Sequence, residues 1–306
     1  MTKIFIDGAE GTTGLVIRDR LKDYKGIEII SLADDMRKDV SARTDAMNQA
    51  DLVFLCLPDA AAREAVTFVS NPNTVVIDTS TAHRTNDEWT YGFPELMGQR
   101  DKIKSSKRIA NPGCHASGFI ALVAPLVEKG ILSTDTAISA FSLTGYTGGG
   151  KKMIAEYEGE KPKLFEAPRQ YGLAQSHKHI PEMMKVCGLN VKPCFSPIVA
   201  DFPRGMEVSV SLFKKDVNCN IEQIKNTYKN YYKNGIVWYN DQVNENGFLS
   251  ANAFAGRDDM EISVHGNDEN IILVARFDNL GKGASGAAIQ NMNIVLGLDE
   301  KTGLNF

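Results

Sequence analysis

The amino-acid sequence predicts an α/β protein in which a doubly wound parallel sheet is followed by a second domain with an α+β layout and a mixed sheet. Three observations support this. Short apolar runs alternate with helical stripes over residues 1–113, which is typical of a parallel sheet with crossover helices. A glycine-rich turn directly follows the first strand, and beyond residue 115 the strand-like runs become longer. A chain of 306 residues is long enough for two domains.

The predicted strands of the first domain are short and almost wholly apolar, as expected of strands that are buried on both faces. We place them at residues 3–7, 27–32, 51–57, 74–78 and 108–110. Helices are predicted between them, over residues 13–24 and 60–69, where apolar side chains recur every three or four positions. This alternation indicates a doubly wound sheet with the chain crossing over on both faces.

The second domain is predicted to begin with a long helix over residues 115–129. Gly130 stands where a C-terminal cap belongs, and Pro125 is expected to kink the helix. Strand-like runs follow, at residues 137–144, 206–213, 236–239 and 271–277.

A last helix is predicted over residues 284–298. A lone C-terminal helix must cover apolar surface, so we expect it to return to the first domain. The predicted domains are therefore 1–113 plus 284–306 for dinucleotide binding, and 114–283 for catalysis and oligomerisation.

The composition argues against nucleic-acid binding, membrane spanning and secretion. The formal net charge of −4 gives no electrostatic basis for binding nucleic acid or an anionic membrane. No apolar run approaches the roughly 20 residues of a membrane span, and a strand-like run begins at Lys3, which leaves no room for a signal peptide. The five cysteines are an odd number in a long chain, which favours reduced thiols and a cytoplasmic protein.

The glycine-rich turn is a candidate dinucleotide site. Gly8, Gly11 and Gly14 occupy the first, fourth and seventh positions of the turn, and Thr12 and Thr13 add side-chain donors. Such glycines allow the backbone to approach a pyrophosphate closely, and the helix that follows directs its N–H groups at the phosphates. The pattern therefore predicts a Rossmann-like domain; the alternative is a turn with a structural role only.

The end of the second strand distinguishes NAD from NADP. NAD-binding domains usually place an acidic residue there for the ribose hydroxyls. This chain has Ser31 instead, with Arg37 and Lys38 nearby, which suits a 2′-phosphate and favours NADP. Asp34 and Asp35 weaken that argument, and a solvated charged turn is the alternative.

Cys114 is the candidate nucleophile. It follows Asn111-Pro112-Gly113 at the junction of a strand and a helix. A thiol at a helix N-terminus has a lowered pKa, and the free N–H groups there can also bind an oxyanion. The loops at the carboxyl ends of parallel strands lie at one edge of the sheet, so we expect cofactor and thiol to meet there. A thiol facing a nicotinamide predicts redox chemistry through a thiohemiacetal and a thioester.

The segment Ser176–Glu182 contains the candidate acid–base residues. His179 is our first choice and His177 the second, because a histidine titrates near ambient pH. A surface or capping role is the structural alternative. We expect no metal site, since no further ligands accompany the two histidines at a recognisable spacing. His115 follows the thiol directly on the helix, and we expect its side chain to point away.

These motifs together resemble the N-acetyl-gamma-glutamyl-phosphate reductase family, in particular its shorter subfamily, over nearly the whole chain. The matching segments are Asp7–Gly14, Asp78–Arg84, Tyr91–Glu95, Asn111–Cys114, His177–Glu182, Pro203–Met206 and Lys282–Gly286. The longer subfamily has an acidic–aromatic pair where this chain has Ala82-His83. The resemblance implies NADPH-dependent reduction of N-acetyl-gamma-glutamyl phosphate to N-acetyl-L-glutamate 5-semialdehyde, in arginine biosynthesis, through a thioester on Cys114.

The resemblance also implies further site residues. Arg84 and Arg204 are candidates for the carboxylate or phosphate of the substrate, which arginine binds bidentately, and Asn111 is a third substrate-binding candidate. Cofactor contacts are expected at Pro58 and Ser80, on strand-end loops, and at Lys282 and Gly283. A homo-oligomer, dimer or tetramer, is expected through the second domain.

Two alternatives remain open from the sequence. One is a semialdehyde dehydrogenase of the aspartate or aminoadipate type, which would differ only in pocket side chains. The other belongs to a different class, a catalytically silent dinucleotide-binding regulator. The intact set of cysteine, histidine and arginine side chains argues against the second.

Overall fold

The computed structural model describes residues 1–233, 235–243 and 245–306. The chain divides into two compact units. The first unit contains Met1–Gly113 and Ala284–Leu304, and the second contains Cys114–Gly283 with Asn305–Phe306.

A parallel sheet of six strands forms the centre of the first unit. Its strands are β1 (Thr2–Asp7), β2 (Ile27–Ile30), β3 (Leu52–Leu55), β4 (Val75–Asp78), β5 (Thr90–Tyr91) and β6 (Arg108–Ala110). The order is β2-β1-β3-β4-β6-β5, and every pairing is parallel. The chain leaves β1 towards β2 and later returns to β3 on the other side, so the topological switch point lies between β1 and β3. The prediction of a doubly wound parallel sheet is confirmed.

Each α-helix belongs to one of the two units. In chain order they are α1 (Thr12–Leu21), α2 (Val40–Gln49), α3 (Asp59–Val66), α4 (Gln99–Ser105), α5 (Cys114–Glu128), α6 (Gly150–Glu158), α7 (Ile180–Cys187), α8 (Ile221–Tyr231) and α9 (Gly286–Leu296). Helices α1 to α4 and α9 belong to the first unit, and α5 to α8 to the second. The sequence analysis did not predict α2, which buries only Ala46 and Met47.

Successive side chains of the first sheet enter two separate apolar layers. Ile4 and Ile6 of β1 pack in one layer with residues of α1 and α9, whereas Phe5 packs in the other with residues of α2 and α3. Both layers are buried because helices cover both faces, which explains why the central residues of β1, β3 and β4 are apolar on both faces. Helix α9 contacts α1, α4 and β4.

The second unit contains a mixed sheet of seven strands. They are β7 (Ser139–Gly145), β8 (Arg169–Gln170), β9 (Cys194–Ala200), β10 (Met206–Phe213), β11 (Val237–Tyr239), β12 (Met260–Gly266) and β13 (Asn270–Phe277), in the order β11-β12-β13-β10-β7-β9-β8. The pairs β7–β9 and β11–β12 are parallel and the others antiparallel. The predicted mixed sheet is confirmed, although β8, β9 and β12 were not predicted.

The long helix α5 covers one face of this sheet, against β10 and β13, and also contacts α7 and α8. Its approach depends on Gly118, where a Cβ atom would lie 2.5 Å from Cγ2 of Val208. The part of the opposite face formed by β7, β10 and β13 is open: Phe141 is 49% exposed and Ile272 is 42% exposed. We call this region, centred on Phe141, Ser211 and Ile272, the open sheet face.

No helix among the described residues is long and apolar enough to cross a membrane.

Candidate functional site

The glycine-rich turn of the first unit is built for close backbone contacts. Gly8 has a φ of +83°, and a Cβ atom there would lie 2.4 Å from the carbonyl oxygen of Cys56. A Cβ atom on Gly14 would lie 2.5 Å from the carbonyl oxygen of Gly8. The backbone N–H of Gly11 donates to the same carbonyl at 3.0 Å, and α1 begins at the next residue, Thr12. The turn therefore accommodates no side chain at these positions and presents a helix N-terminus beyond it.

A cavity of about 550 Å³ opens beside this turn, a volume within the usual range for ligand pockets. Its lining includes Gly8, Ser31, Arg37 and Lys38, which the sequence analysis assigned to the cofactor, together with Leu57 next to Pro58. The cavity lies at the carboxyl ends of β1 and β2, beside the topological switch point. Its place and the glycine cradle fit a dinucleotide.

The charges in this cavity are partly paired. Arg37 contacts Asp34 at 2.7 Å and Glu10 at 3.2 Å, and Glu10 also contacts Arg18 at 3.0 Å. These side chains are exposed enough for water to screen the pairs. Lys38 has no ion pair with any residue that the structure describes. A 2′-phosphate would therefore find a free ammonium at Lys38 and a guanidinium at Arg37 that is shared with two carboxylates.

The loop after β4 is held by Asp78, which is fully buried. Its carboxylate accepts from the backbone N–H of Ser80 at 2.9 Å and from the Ser80 hydroxyl at 2.7 Å. Nδ1 of His83 lies 2.7 Å from the same carboxylate, and its ring stacks on Trp89 at 4.1 Å. The hydroxyl of Ser80, proposed for the cofactor, is thus engaged in stabilising the turn.

Two predicted substrate ligands are buried within the first unit. Arg84 donates from Nε to the carbonyl oxygen of Asn111 at 2.9 Å and from Nη2 to that of Thr79 at 3.0 Å. The Asn111 amide donates to the carbonyl oxygen of Ala284 at 3.0 Å and accepts from Asn291 at 3.2 Å. These bonds make Arg84 and Asn111 positioning residues for the segment that precedes Cys114, and a direct substrate contact by either stays a prediction.

Cys114 is the first residue of α5 and is partly exposed. The sequence folds this way because Pro112 and Gly113 cannot extend strand β6 as a ladder, whereas the apolar residues that follow form a buried helix. Gly283, in the π-helical turn Gly281–Ser285, lies beside the thiol: a Cβ atom there would be 3.0 Å from Cβ of Cys114. Lys282 in the same turn is almost completely buried. A side chain at position 283 would therefore crowd Cys114.

Three of the histidines of the second unit, His115, His177 and His179, form one cluster. The ring centroids of His177 and His179 are 4.7 Å apart, and those of His115 lie 5.4 Å and 5.6 Å from them. The side chain of His115 was expected to point away from the thiol and to take no part in the site, but its buried ring packs against both predicted acid–base residues. The error arose because residue 177 is brought to α5 by tertiary packing, which helix geometry alone does not reveal.

The hydrogen bonds of the cluster define its protonation. Nδ1 of His177 accepts from the backbone N–H of His179 at 3.2 Å, so neutral His177 carries its proton on Nε2. Burial, with a smaller contribution from Lys178, lowers the pKa of His177 to about 4. Burial, with a contribution from His177, lowers the pKa of His115 to about 3. Nε2 of His179 lies 4.0 Å from the buried carboxylate of Glu182.

Arg204 is the second unit's candidate for binding an anion. Its Nε lies 2.8 Å from Oδ2 of Asp278, so the two side chains form a close ion pair. The angle at Nε is not that of a hydrogen bond. Asp278 is fully buried and also accepts from the backbone N–H groups of Leu280 and Gly281, at 2.7 Å and 2.9 Å. Nη2 of Arg204 is buried with no hydrogen-bond partner among the described residues. A carboxylate or phosphate oxygen would satisfy it.

Two side chains that contact His115 were not predicted from the sequence. They are Ser142 and Tyr171. Neither belongs to a motif, and both are distant in sequence, so the sequence carries no signal for them. Among the described residues, no group of three or more His, Cys, Asp or Glu side chains could hold a metal ion.

Comparison with known proteins defines the family. Residues 3–106 match the family model "Semialdehyde dehydrogenase, NAD binding domain", and residues 114–279 match "Semialdehyde dehydrogenase, dimerisation domain". The chain is 43% identical to "N-acetyl-gamma-glutamyl-phosphate reductase 2" of Nostoc sp., over 99% of each chain. The chain belongs to the N-acetyl-gamma-glutamyl-phosphate reductase family. The reductase of this name from Brucella ovis is also 43% identical, over 96% of this chain and 99% of its own. The resemblance stated from the motifs is thereby confirmed.

Solved structures show the same fold at low identity. The aspartate-semialdehyde dehydrogenase of Francisella tularensis superposes with a TM-score of 0.74 at 14% identity, covering 97% of this chain and 100% of its own. Aspartate semialdehyde dehydrogenase II of Vibrio cholerae gives 0.73 at 15%, covering 97% and 98%. This member of the N-acetyl-gamma-glutamyl-phosphate reductase family therefore shares its fold with semialdehyde dehydrogenases.

Proposed function

We propose that the chain reduces N-acetyl-gamma-glutamyl phosphate to N-acetyl-L-glutamate 5-semialdehyde with NADPH, as a step of arginine biosynthesis. The observation that carries the proposal is the 43% identity, over 99% of each chain, to a reductase of this name. The site supports it, because Cys114 stands at the N-terminus of α5 in the unit that holds the histidine cluster and Arg204.

The residues of the second unit account for the acyl chemistry. The Cys114 thiolate attacks the acyl carbon, the bond from that carbon to the phosphate oxygen breaks, and phosphate leaves a thioester on the sulfur. The N–H groups at the start of α5 face the oxygen on which negative charge develops. Arg204, paired on one side with Asp278, offers Nη2 to an anionic group of the substrate.

The first unit is proposed as the dinucleotide-binding domain and the second as the catalytic and oligomerisation domain. Bound NADPH supplies the hydride that reduces the thioester to a thiohemiacetal. Gly8, Gly11 and the start of α1 would hold its phosphates, and Lys38 with Arg37 would contact the 2′-phosphate. We infer the preference for NADPH from Ser31, which occupies the position where NAD-binding domains usually have an acidic residue.

His177 and His179 are both candidates for the acid–base role. The sequence analysis placed His179 first, whereas exposure favours His177, because His177 is half-buried and His179 is 6% exposed. A group that exchanges a proton with substrate must be reachable by it. We therefore propose that His177 carries the proton on Nε2 and that His179, beside Glu182, orients the segment.

We propose a homo-oligomer that assembles through the open sheet face. The family model that covers residues 114–279 is described as a dimerisation domain. This face exposes Phe141 on β7 and Ile272 on β13, the two strands that flank β10. A second copy of the chain would cover that apolar surface. All five cysteines are free thiols, which supports a cytoplasmic location.

The decisive experiment uses Cys114→Ser. We expect the variant to lose reductase activity by about 10⁴-fold or more, since a catalytic nucleophile is removed, while still binding NADPH. Incubation of the unaltered protein with the acyl phosphate and no NADPH should add the acyl mass to Cys114. Cys194→Ser, at an exposed cysteine, is the control and should behave as the unaltered protein.

Three outcomes would contradict the proposal in different ways. Full activity of Cys114→Ser excludes the covalent mechanism. Faster turnover of aspartyl phosphate than of the N-acetylglutamyl substrate assigns a different acyl chain. In the same assay, His177→Asn should slow turnover more than His179→Asn, and the reverse order would restore the original ranking.

A further inference from the structure

Three polar side chains of the second unit, Ser142, His115 and Tyr171, are hydrogen-bonded in series, and the middle one follows Cys114 on α5. The hydroxyl of Ser142, on β7, lies 2.6 Å from Nδ1 of His115. Nε2 of the same ring lies 2.7 Å from the Tyr171 hydroxyl. Ser142 is completely buried and His115 is 3% exposed. None of these side chains has a role in the mechanism described above.

The burial of Ser142 decides the direction of the first hydrogen bond. Its hydroxyl hydrogen has one acceptor within reach among the described residues, Nδ1 of His115. If Nδ1 carried a proton, it would donate to Ser142, and the Ser142 O–H would be buried without an acceptor. A buried donor without a partner forfeits its hydrogen bond to water and gains nothing in return. Ser142 is therefore the donor and Nδ1 the acceptor.

The second bond follows from the first. Burial lowers the pKa of His115 to about 3, so the ring is neutral at physiological pH and carries one proton. With Nδ1 accepting, that proton is on Nε2. His115 therefore donates to the Tyr171 oxygen, and the Tyr171 O–H must be directed elsewhere. It has no acceptor among the residues that the structure describes.

Cys114 directly precedes His115 at the start of α5, and Tyr171 is hydrogen-bonded to the ring of His115. The two groups are close enough that negative charge on Cys114 contributes, after burial, to raising the pKa of Tyr171. At neutral pH Tyr171 keeps its proton and is a hydrogen-bond donor beside the nucleophile. The donation from His115 polarises the phenol and strengthens it as a donor.

We propose that Tyr171 donates a hydrogen bond to the acyl oxygen of the intermediate on Cys114, and that Ser142 and His115 are positioning residues that orient it. When the acyl carbon becomes tetrahedral, its carbonyl π electron pair moves to the oxygen, and Tyr171 stabilises that charge without losing its proton. The inference rests on the proposed function, since the acyl oxygen belongs to the proposed intermediate.

The primary test compares Tyr171→Phe with Tyr146→Phe. Both remove one phenolic hydroxyl from the same aromatic cluster, but that of Tyr146 faces Glu158 rather than His115. Tyr171→Phe should lower kcat by about 10²-fold, the usual effect of losing one oxyanion donor, with KM and NADPH affinity little changed. Tyr146→Phe should retain kcat. Equal kcat values for both variants and the unaltered protein would overturn the proposal.

A double-mutant cycle separates positioning from structural support. Ser142→Ala should lower kcat by about tenfold, the equivalent of one hydrogen bond. If Ser142 acts through Tyr171, the same substitution has no further effect on kcat in the Tyr171→Phe background. Independent losses that multiply would show that Ser142 merely supports the fold, and would overturn its assigned role.

One measurement does not depend on the substrate. The ¹⁵N chemical shifts of the His115 ring, assigned with His115→Gln, should show a protonated Nε2 and an unprotonated Nδ1. A proton on Nδ1 would overturn the chain of donors even if the enzyme acts on another acyl phosphate. An unaltered protein that fails to reduce the N-acetylglutamyl substrate, with the expected tautomer present, would instead refute the proposed function alone.

Discussion

His115 and His177 are kept neutral by their surroundings, and that neutrality defines the chemistry around Cys114. Neither ring has a carboxylate partner among the described residues, and each loses contact with solvent on folding, His115 more than His177, so burial disfavours the charged form of each ring. Neutral rings with fixed hydrogen bonds have fixed tautomers. The site therefore presents directed N–H donors at neutral pH instead of additional positive charge.

The low pKa of His115 also predicts how stability depends on pH. Above pH 6.5 the ring is neutral in the folded and unfolded states, and its contribution is fully present. As pH falls below 6.5, His115 becomes protonated in the unfolded state but stays neutral in the folded state until about pH 3. The free energy of unfolding therefore decreases between pH 6.5 and pH 3. Between pH 7 and 5 the loss is of order 2 kcal/mol, at about 1.4 kcal/mol per pH unit.

The variant His115→Gln should remove this slope, whatever it does to stability at pH 7. The free energy of unfolding, measured in urea at several pH values, should fall less steeply for the variant than for the unaltered protein. His265→Gln is the matched control: burial also lowers the pKa of His265, but its ring is partly exposed, so most of the slope should persist. Parallel slopes for His115→Gln and the unaltered protein would contradict the assignment of a buried neutral ring.

The sequence was a better guide to the identity of the candidate site residues than to the orientation of their side chains. Cys114 was placed at a strand-to-helix junction because strand β6 and helix α5 each have a clear local pattern. His115 was misjudged because the position of His177 relative to α5 depends on contacts between residues more than 60 positions apart. Ser142 and Tyr171 are ordinary residues in sequence, and only packing brings them to His115.

At the scale of secondary-structure elements, strands and helices were predicted correctly where the hydrophobic pattern was clear. Strand β3 is wholly apolar, and β1 and β4 each have three consecutive apolar residues, since helices cover both faces of their sheet. Helix α2 was missed because most of its residues are polar or exposed. Strand β9 contains Pro197 and strand β12 contains Glu261, residues that disfavour a strand in sequence but are accommodated by their neighbours.

The strand–turn–helix element formed by β1, the glycine turn and α1 permits a sharp test. Gly8 and Gly26 have the same φ of +83°, but a Cβ atom on Gly8 would lie 2.4 Å from the Cys56 carbonyl, whereas one on Gly26 would meet nothing within 4 Å. Gly8→Ala and Gly26→Ala should both lose about 1–2 kcal/mol of stability through the left-handed backbone. Only Gly8→Ala should also displace the turn.

The measurement is a fluorescence titration with NADPH. We expect the Kd of Gly8→Ala to rise at least about tenfold, or roughly 1.4 kcal/mol, and that of Gly26→Ala to be unchanged. Because both substitutions impose the same backbone strain, the comparison isolates the close approach at the turn. Equal Kd values for the two variants would mean that the turn does not contact the dinucleotide.

At the scale of the whole molecule, the two units differ in what they leave uncovered. Helices cover both faces of the parallel sheet, so the first unit has no uncovered sheet face. The mixed sheet is covered by α5 and α8 on one face, and its other face is partly covered near Arg276 and Glu261, which are buried and paired at 2.8 Å. What remains exposed is the open sheet face, and a second copy of the chain is the proposed partner.

Phe141→Glu tests that assembly. Phe141 pairs in register with Ser209 at the centre of the open sheet face, and a symmetric interface would bring the new carboxylate and its copy together, or bury each without a partner. Either situation costs several kcal/mol, so we expect the assembly to weaken by about 10²-fold or more. Light scattering after size exclusion should show a smaller mass than for the unaltered protein.

Phe248→Glu is the control, because Phe248 is 74% exposed but lies in a loop outside the sheet. It places the same charge at an exposed position of the second unit outside strands β7, β10 and β13, so its mass should equal that of the unaltered protein. If Phe141→Glu also keeps that mass, the copies meet elsewhere. If the unaltered protein is already monomeric at micromolar concentration, the exposed Phe141 and Ile272 require a different explanation.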